Sequence, residues 1–182
     1  MRTARVMQWA ALGVLLGGMA TVGAAPAAFA GQTQHFDSVV FPLGGHGSGP
    51  PPGCPVQSGP NAIVSTGGNG IGHDSTNKNG DWGGQTYEGA AVFESVPGGF
   101  DSNGNPVGPV TPLYAGHLTL WSGGGNNKAG QTEGGLTLTF QGTAIVGAPA
   151  PSATIHIHLD GHMTTNNAGT TTANTMNISC TA

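Results

Sequence analysis

Beyond residue 30 and outside the Gly/Pro-rich stretches at 42–60 and 97–112, apolar and polar residues alternate along this chain, and no segment there carries the 3.6-residue apolar period of a helix. The stretch Thr154-Ile-His-Ile-His-Leu-Asp-Gly-His-Met-Thr164 shows the pattern best. Ile155, Ile157, Leu159 and Met163 fall on one face, while Thr154, His156, His158, Asp160, His162 and Thr164 fall on the other. Such alternation buries its apolar half only when strands pair side by side and their shared face is covered. Thr, Val and Ile prevail over the Ala, Leu, Glu and Lys mixtures that favour helices. The chain is therefore expected to be all-β.

The same alternation marks strands at 34–41, 61–66, 70–76, 82–94, 113–121, 135–146, 153–165 and 170–180. Asn79-Gly80 offers a tight turn that tolerates positive φ, and a Gly/Asn turn is expected over 122–130. Gly83, Gly84 and Gly89 inside the long strand predict bulges or sharp bends there. Residues 42–60 and 97–112 are rich in Gly and Pro and read as loops. Seven or eight strands joined this way predict a single antiparallel β-barrel, with a sandwich as the alternative. The barrel is preferred because closure removes strand edges, and this chain has few charges with which to blunt them.

The first 30 residues differ from the rest. Arg2 and Arg5 precede an apolar run from Trp9 to Ala20, and small residues lead to Ala28-Phe29-Ala30. This is the pattern of a signal peptide over 1–30, followed by an N-terminal strand and Pro/Gly-rich arm over 31–60 and an antiparallel β domain over 61–182. The two arginines are not adjacent, so the twin-arginine export signal is missing. No later stretch approaches the ~18 apolar residues of a spanning helix, so no membrane insertion is expected. A secreted, extracellular destination also suits Cys54 and Cys180, which most simply pair as a disulfide.

Beyond residue 30 only Lys78 and Lys128 stand against eight acids. Two cations cannot neutralise several phosphates, so nucleic acid is excluded as a partner, and an anionic membrane surface is disfavoured for the same reason.

Several stretches carry a resemblance. Asp81-Trp82, Thr86-Tyr-Glu-Gly89, Tyr114-Ala-Gly-His-Leu-Thr-Leu-Trp121, Leu138-Thr-Phe-Gln-Gly-Thr143, the strand with His156, His158 and His162, and the terminal Cys180 resemble a group of secreted actinobacterial β-rich proteins of unassigned function. The resemblance covers roughly residues 65–180 and implies no activity. In architecture alone the expected barrel is loosely similar to lipocalin-type and allene-oxide-cyclase-like barrels, and no motif of either is present.

Two sets of residues could carry chemistry. His156 and His158 share a strand face at ~6.6 Å, close enough for both imidazoles to meet one zinc or copper ion, with His117 or Asp160 as further ligands. His162 lies ~13 Å beyond His158 on a regular strand, too far to join without a bulge at Gly161. The simpler reading is a solvated polar face with no cofactor. The second set is aromatic. Trp121, Tyr114, Trp82 and Tyr87 could line an apolar cavity or stack on sugar faces, or merely fill the core.

Other motifs carry less. Glu88 and Glu94 share a face that Asp81 does not, and nothing fixes the separation glycoside hydrolysis needs. Gly44-Gly-His-Gly-Ser-Gly49 lacks a following Lys and runs into prolines, and no Gly-x-Ser-x-Gly elbow occurs. The expected function is thus a non-enzymatic binding or interaction module for a small apolar ligand or a cell-surface glycan. The alternative is a metal-binding protein or metal-dependent enzyme built on His156 and His158.

Overall fold

The computed structural model describes residues 32–36, 39–43, 54, 60–77, 79–101 and 106–182. The leader at 1–30 and most of the Gly/Pro-rich stretch at 42–60 lie outside the described residues. Among the described residues eight strands are formed: β1 (Gln32–Phe36), β2 (Val40–Leu43), β3 (Asn61–Asn77), β4 (Gly80–Ser95), β5 (Thr111–Asn127), β6 (Thr132–Ala144), β7 (Thr154–Thr165) and β8 (Thr171–Thr181). There is no helix among the described residues, hence none long and apolar enough to cross a membrane.

Every pairing of these strands is antiparallel, in the order β1-β3-β4-β5-β6-β7-β8, with β2 also on β3. β1 covers Gly70 to Asp74 and β2 covers Asn61 to Val64, so the two form one edge strand with an interruption. The break falls where β3 bulges between Ser65 and Gly67. There the Val39 amide donates to Ser65 Oγ at 2.7 Å, and the Ser65 amide donates to the Val39 carbonyl at 2.9 Å. The segments expected at 61–66 and 70–76 are thus one strand bent by this bulge.

Two hairpins close by the same device. Asn127-Lys-Ala-Gly130 joins β5 to β6, and Asn166-Asn-Ala-Gly169 joins β7 to β8. Each ends on a glycine at positive φ, 77° at Gly130 and 73° at Gly169, a conformation that costs a side-chain-bearing residue free energy. Each asparagine locks its turn: Asn127 Oδ1 accepts from the Gln131 amide at 3.0 Å, and Asn166 Oδ1 from the Thr170 amide at 2.9 Å. The Gly/Asn turn expected over 122–130 is therefore shorter than the sequence implies, because Ser122 to Asn127 belong to β5.

One face of the sheet gathers the core. Ile63, Tyr87, Phe93, Leu118, Leu138, Phe140, Ile157 and Leu159 are buried in a single cluster that also takes Phe41 from β2 and touches Ile178 and Cys180 of β8. Contributions from both edges to one core require the sheet to curl. The Phe93 and Phe140 rings, from strands separated by β5, lie 6.3 Å apart inside the curl.

The curl does not close, and this corrects the barrel expectation. Among the described residues the β1–β2 edge and β8 form no ladder with each other. Counting β1 and β2 as one position, an antiparallel meander of seven positions leaves its first and last strands pointing the same way, whereas up-and-down closure pairs opposed strands. A covalent bond spans the seam instead: Cys54 and Cys180 are joined, with Cα atoms 4.8 Å apart, as expected from the sequence.

Candidate functional site

Residue parity decides which of the four candidate aromatics meet solvent. Tyr87 and Trp82 sit an odd number of residues apart on β4, and so do Tyr114 and Trp121 on β5. The tyrosines point into the curl and the tryptophans away from it. Tyr114 is fully buried, with its hydroxyl 2.9 Å from Ser152 Oγ, and Tyr87 is buried and stacked on Phe36 at 6.1 Å. Neither ring offers a face to a ligand, which leaves Trp82 and Trp121 as the exposed pair among the four candidates. Trp82 and Trp121 are 52% and 44% exposed.

The outward side chains fall in rows across β4, β5, β6 and β7. One row reads Trp82–Gly125–Glu133–Thr164, the next Gly84–Gly123–Gly135–His162, and the third Thr86–Trp121–Thr137–Asp160. Between the two tryptophans the sheet surface on β4, β5 and β6 is bare backbone. The Trp121 indole lies down onto it: a Cβ on Gly135 would sit 3.1 Å from Cζ3, and one on Gly123 would sit 3.2 Å from Cζ2. Trp82 leans over Gly125, where a Cβ would meet Cε3 at 2.8 Å. Each indole thus has one face against glycine backbone and part of its surface in water.

Polar groups surround this paved strip. His162 Nε2 lies 3.2 Å from Glu133 Oε1 at its β7 end. Asp160, next to Trp121's row partner Thr137, accepts from the Thr137 hydroxyl at 2.8 Å and lies 2.7 Å from His158 Nε2. The Thr137 hydrogen bond first, and then His158, hold the Asp160 carboxyl below the usual carboxylate range. On the other side of Trp121 an open trough of about 660 Å³ runs past Ile71 and Thr86 to Glu88 and His117, which are 3.3 Å apart. A second cleft of about 450 Å³ adjoins Trp82 and is lined by Asn126, Gln131, Thr132 and Thr164 among others.

The candidate metal ligands are drawn to separate partners. His158 has Thr139 Oγ1 at 3.1 Å from Nδ1 and Asp160 on Nε2, so both of its nitrogens are engaged. His156 stands opposite Gln141, which separates it from His117 two strands away. His117 itself faces Glu88. Among the described residues no group of three or more His, Cys, Asp or Glu is placed to hold a metal ion.

Thr139, His158 and Asp160 do form a hydroxyl–imidazole–carboxylate chain of the kind that activates nucleophiles. Acyl transfer also needs free donors aimed at the developing oxyanion. Here β6 and β7 pair continuously from Thr132 to Thr143, so the backbone amides around the chain serve the ladder. The chain reads as a hydrogen-bonded surface cluster.

No protein family matches the sequence, and neither does a curated protein or a solved structure.

Proposed function

We propose that this protein is a secreted, non-enzymatic glycan-binding module, and that its ligand is an uncharged polysaccharide lying across the outward face on Trp82 and Trp121. The observation that carries the reading is the posture of the two indoles. Both recline on glycine backbone, so each offers solvent a broad, rigid, apolar surface of the kind that stacks on the C–H faces of sugars. Asp160, Glu133, His162 and His117 stand around them with polar atoms for hydroxyl groups.

Charge narrows the class. The chain beyond residue 30 carries eight acids and two lysines, so uronate-rich, sulfated or phosphate-bearing glycans would be repelled. The small apolar ligand is the weaker reading, because the inside of the curl is filled by its own side chains. Export rests on the leader sequence, and the Cys54–Cys180 disulfide fits an oxidising compartment.

The test uses the protein's own fluorescence, since beyond residue 30 its tryptophans are Trp82 and Trp121. Titration with soluble neutral polysaccharides should shift the emission, and Trp121→Ala should weaken binding by about tenfold or more, equivalent to ~1.4 kcal/mol. Absence of any shift or pull-down across neutral soluble and insoluble glycans would overturn the reading.

A further inference from the structure

Among the described residues every histidine lies in a strand and has outward parity. The rows across β4 to β7 continue onto the first edge, where His73 stands beside Gly84 and His35 beside Ile71. The same face holds His117 on β5 and His156, His158 and His162 on β7. His158 is half-buried and the other five are exposed. The acids of this face number four: Glu88 and Glu94 on β4, Glu133 on β6 and Asp160 on β7. Asp74 and Asp81 have the inward parity, and β2 and β8 add no charged side chain. Lys78 and Lys128 both fall between strands, so histidine is the only base on the outward face.

We infer that this face is a pH-gated surface for an acidic polysaccharide, repelling the polymer while its histidines are neutral and holding it once they are protonated. Histidine is the side chain that ordinarily gains charge between neutral and mildly acid pH, near 6.5 in solution. Protonation sets six positive charges against four negative ones, so the face turns from net negative to net positive. A uronate stays ionised over the same range, as carboxylates do. The repulsion of uronate-rich glycans therefore holds at neutral pH and reverses below it.

The surplus charge has a definite place. His117, His158 and His162 lie 3.3, 2.7 and 3.2 Å from Glu88, Asp160 and Glu133, so each is neutralised locally. Among the described residues no carboxylate stands within ion-pair distance of His35, His73 or His156. His35 and His73 are diagonal neighbours across the β1–β3 ladder, ~7–8 Å apart, and form one patch. His73 has the Thr33 hydroxyl 3.0 Å from Nδ1. Between His73 and Gly123, under the Trp121 ring, comes only Gly84, where a Cβ would meet nothing but backbone at 3.6 Å or more. A chain can thus lie flat from the Trp121 platform to this patch. A polysaccharide is favoured over an anionic membrane because the indoles recline on the sheet instead of projecting, which leaves nothing to insert into lipid. The polyanion is held by the histidines, so the neutral-glycan reading can fail without it.

Polygalacturonate, a polyuronate, is the probe, titrated by calorimetry into the protein lacking residues 1–30 at about pH 7.5 and about pH 5.5. Binding should be about tenfold or more tighter on the acid side and should weaken with added salt. His35→Gln/His73→Gln leaves four histidines against four acids and should lose most of that gain. His35→Lys/His73→Lys, whose charge does not depend on histidine, should hold the polymer to a higher pH than wild type. Equal binding at the two pH values, no binding on the acid side, a gain kept by the glutamine variant, no upward shift in the lysine variant, or a preference for phosphatidylglycerol vesicles over polygalacturonate would each overturn it. Failure of neutral polysaccharides to bind would overturn the tryptophan reading alone.

Discussion

Breaking the Cys54–Cys180 bond isolates the element that holds the open side of the curl. The two cysteines are 126 residues apart, and closing a loop of that length removes chain entropy from the unfolded state worth about 5 kcal/mol in the chain-entropy model. A domain of this size is stable by about 5–15 kcal/mol, so the bond accounts for a large share of the total. Among the described residues no ladder crosses the seam to take over when it is cut. The Cys54→Ala/Cys180→Ala protein should therefore lose roughly 2 M or more from its urea midpoint, taking a slope of about 2 kcal/mol per molar. Reduced wild type, which keeps both sulfur atoms against the core, separates loop closure from lost packing. Equilibrium unfolding followed by far-UV circular dichroism and tryptophan fluorescence reads both. A midpoint within roughly 0.5 M of wild type in the reduced protein would refute the reasoning, because it would mean that something other than the disulfide closes the chain.

Gly135→Val should lift the Trp121 indole off its floor, and glycan binding should fall while stability changes by less than about 1 kcal/mol, measured by titration and thermal melts side by side. Gly116→Ala is the opposite case: its Cβ would run into the Gln141 carbonyl oxygen, a backbone atom that cannot rotate away. A loss of about 1–3 kcal/mol or more should show in urea unfolding, with no specific effect on the tryptophans. The lowered pKa of Asp160 places its stabilising contribution at neutral pH, to be lost as pH falls through that lowered value, so Asp160→Asn should flatten the acid side of the stability profile. Glu94 has the reverse sign. Burial raises its pKa, so its ionisation opposes folding as pH rises from the ordinary carboxylate value through the raised one, and Glu94→Gln should remove that decline.

How much is legible in the sequence depends on what wrote each feature into it. Strand positions from Asn61 to Cys180 are legible because a half-buried strand must alternate, and the disulfide is legible because two cysteines in a chain with a leader have one simple use. Gly123, Gly124 and Gly125 mislead. Glycine carries no strand preference, so their place in β5 is visible only once their register against Gly83, Gly84, Gly134 and Gly135 is known. The open barrel is hidden in a count: the strand expected at 34–41 is two, β1 and β2, on one side of β3, those expected at 61–66 and 70–76 are one, and the parity that decides closure requires the pairing order. The site is half legible. The opposite parities of Trp82 and Tyr87, and of Trp121 and Tyr114, are present in the sequence and separate solvent-facing rings from core rings. The repeated Asn-x-Ala-Gly turns at 127–130 and 166–169 are a further signal that the residues alone carry.

The tryptophans and glycines of the outward face are one unit. Strand side chains stand roughly perpendicular to their sheet, held upright by neighbours two residues away and across the ladder. An indole reclines where those neighbours are missing: Gly123 two positions along β5 and Gly135 diagonally across on β6 for Trp121, while Gly125, opposite Trp82 on β5, is also required by the close approach of the Asp81 carbonyl oxygen. A side chain at Gly123 or Gly135 would press on the Trp121 ring and push it away from the sheet. A chain selected only for a stable sheet has reason to avoid glycine in the middle of three adjoining strands, since each one weakens pairing and leaves backbone bare. The same glycines, set beneath two exposed indoles, are the condition for a rigid aromatic platform on a surface with almost no positive charge.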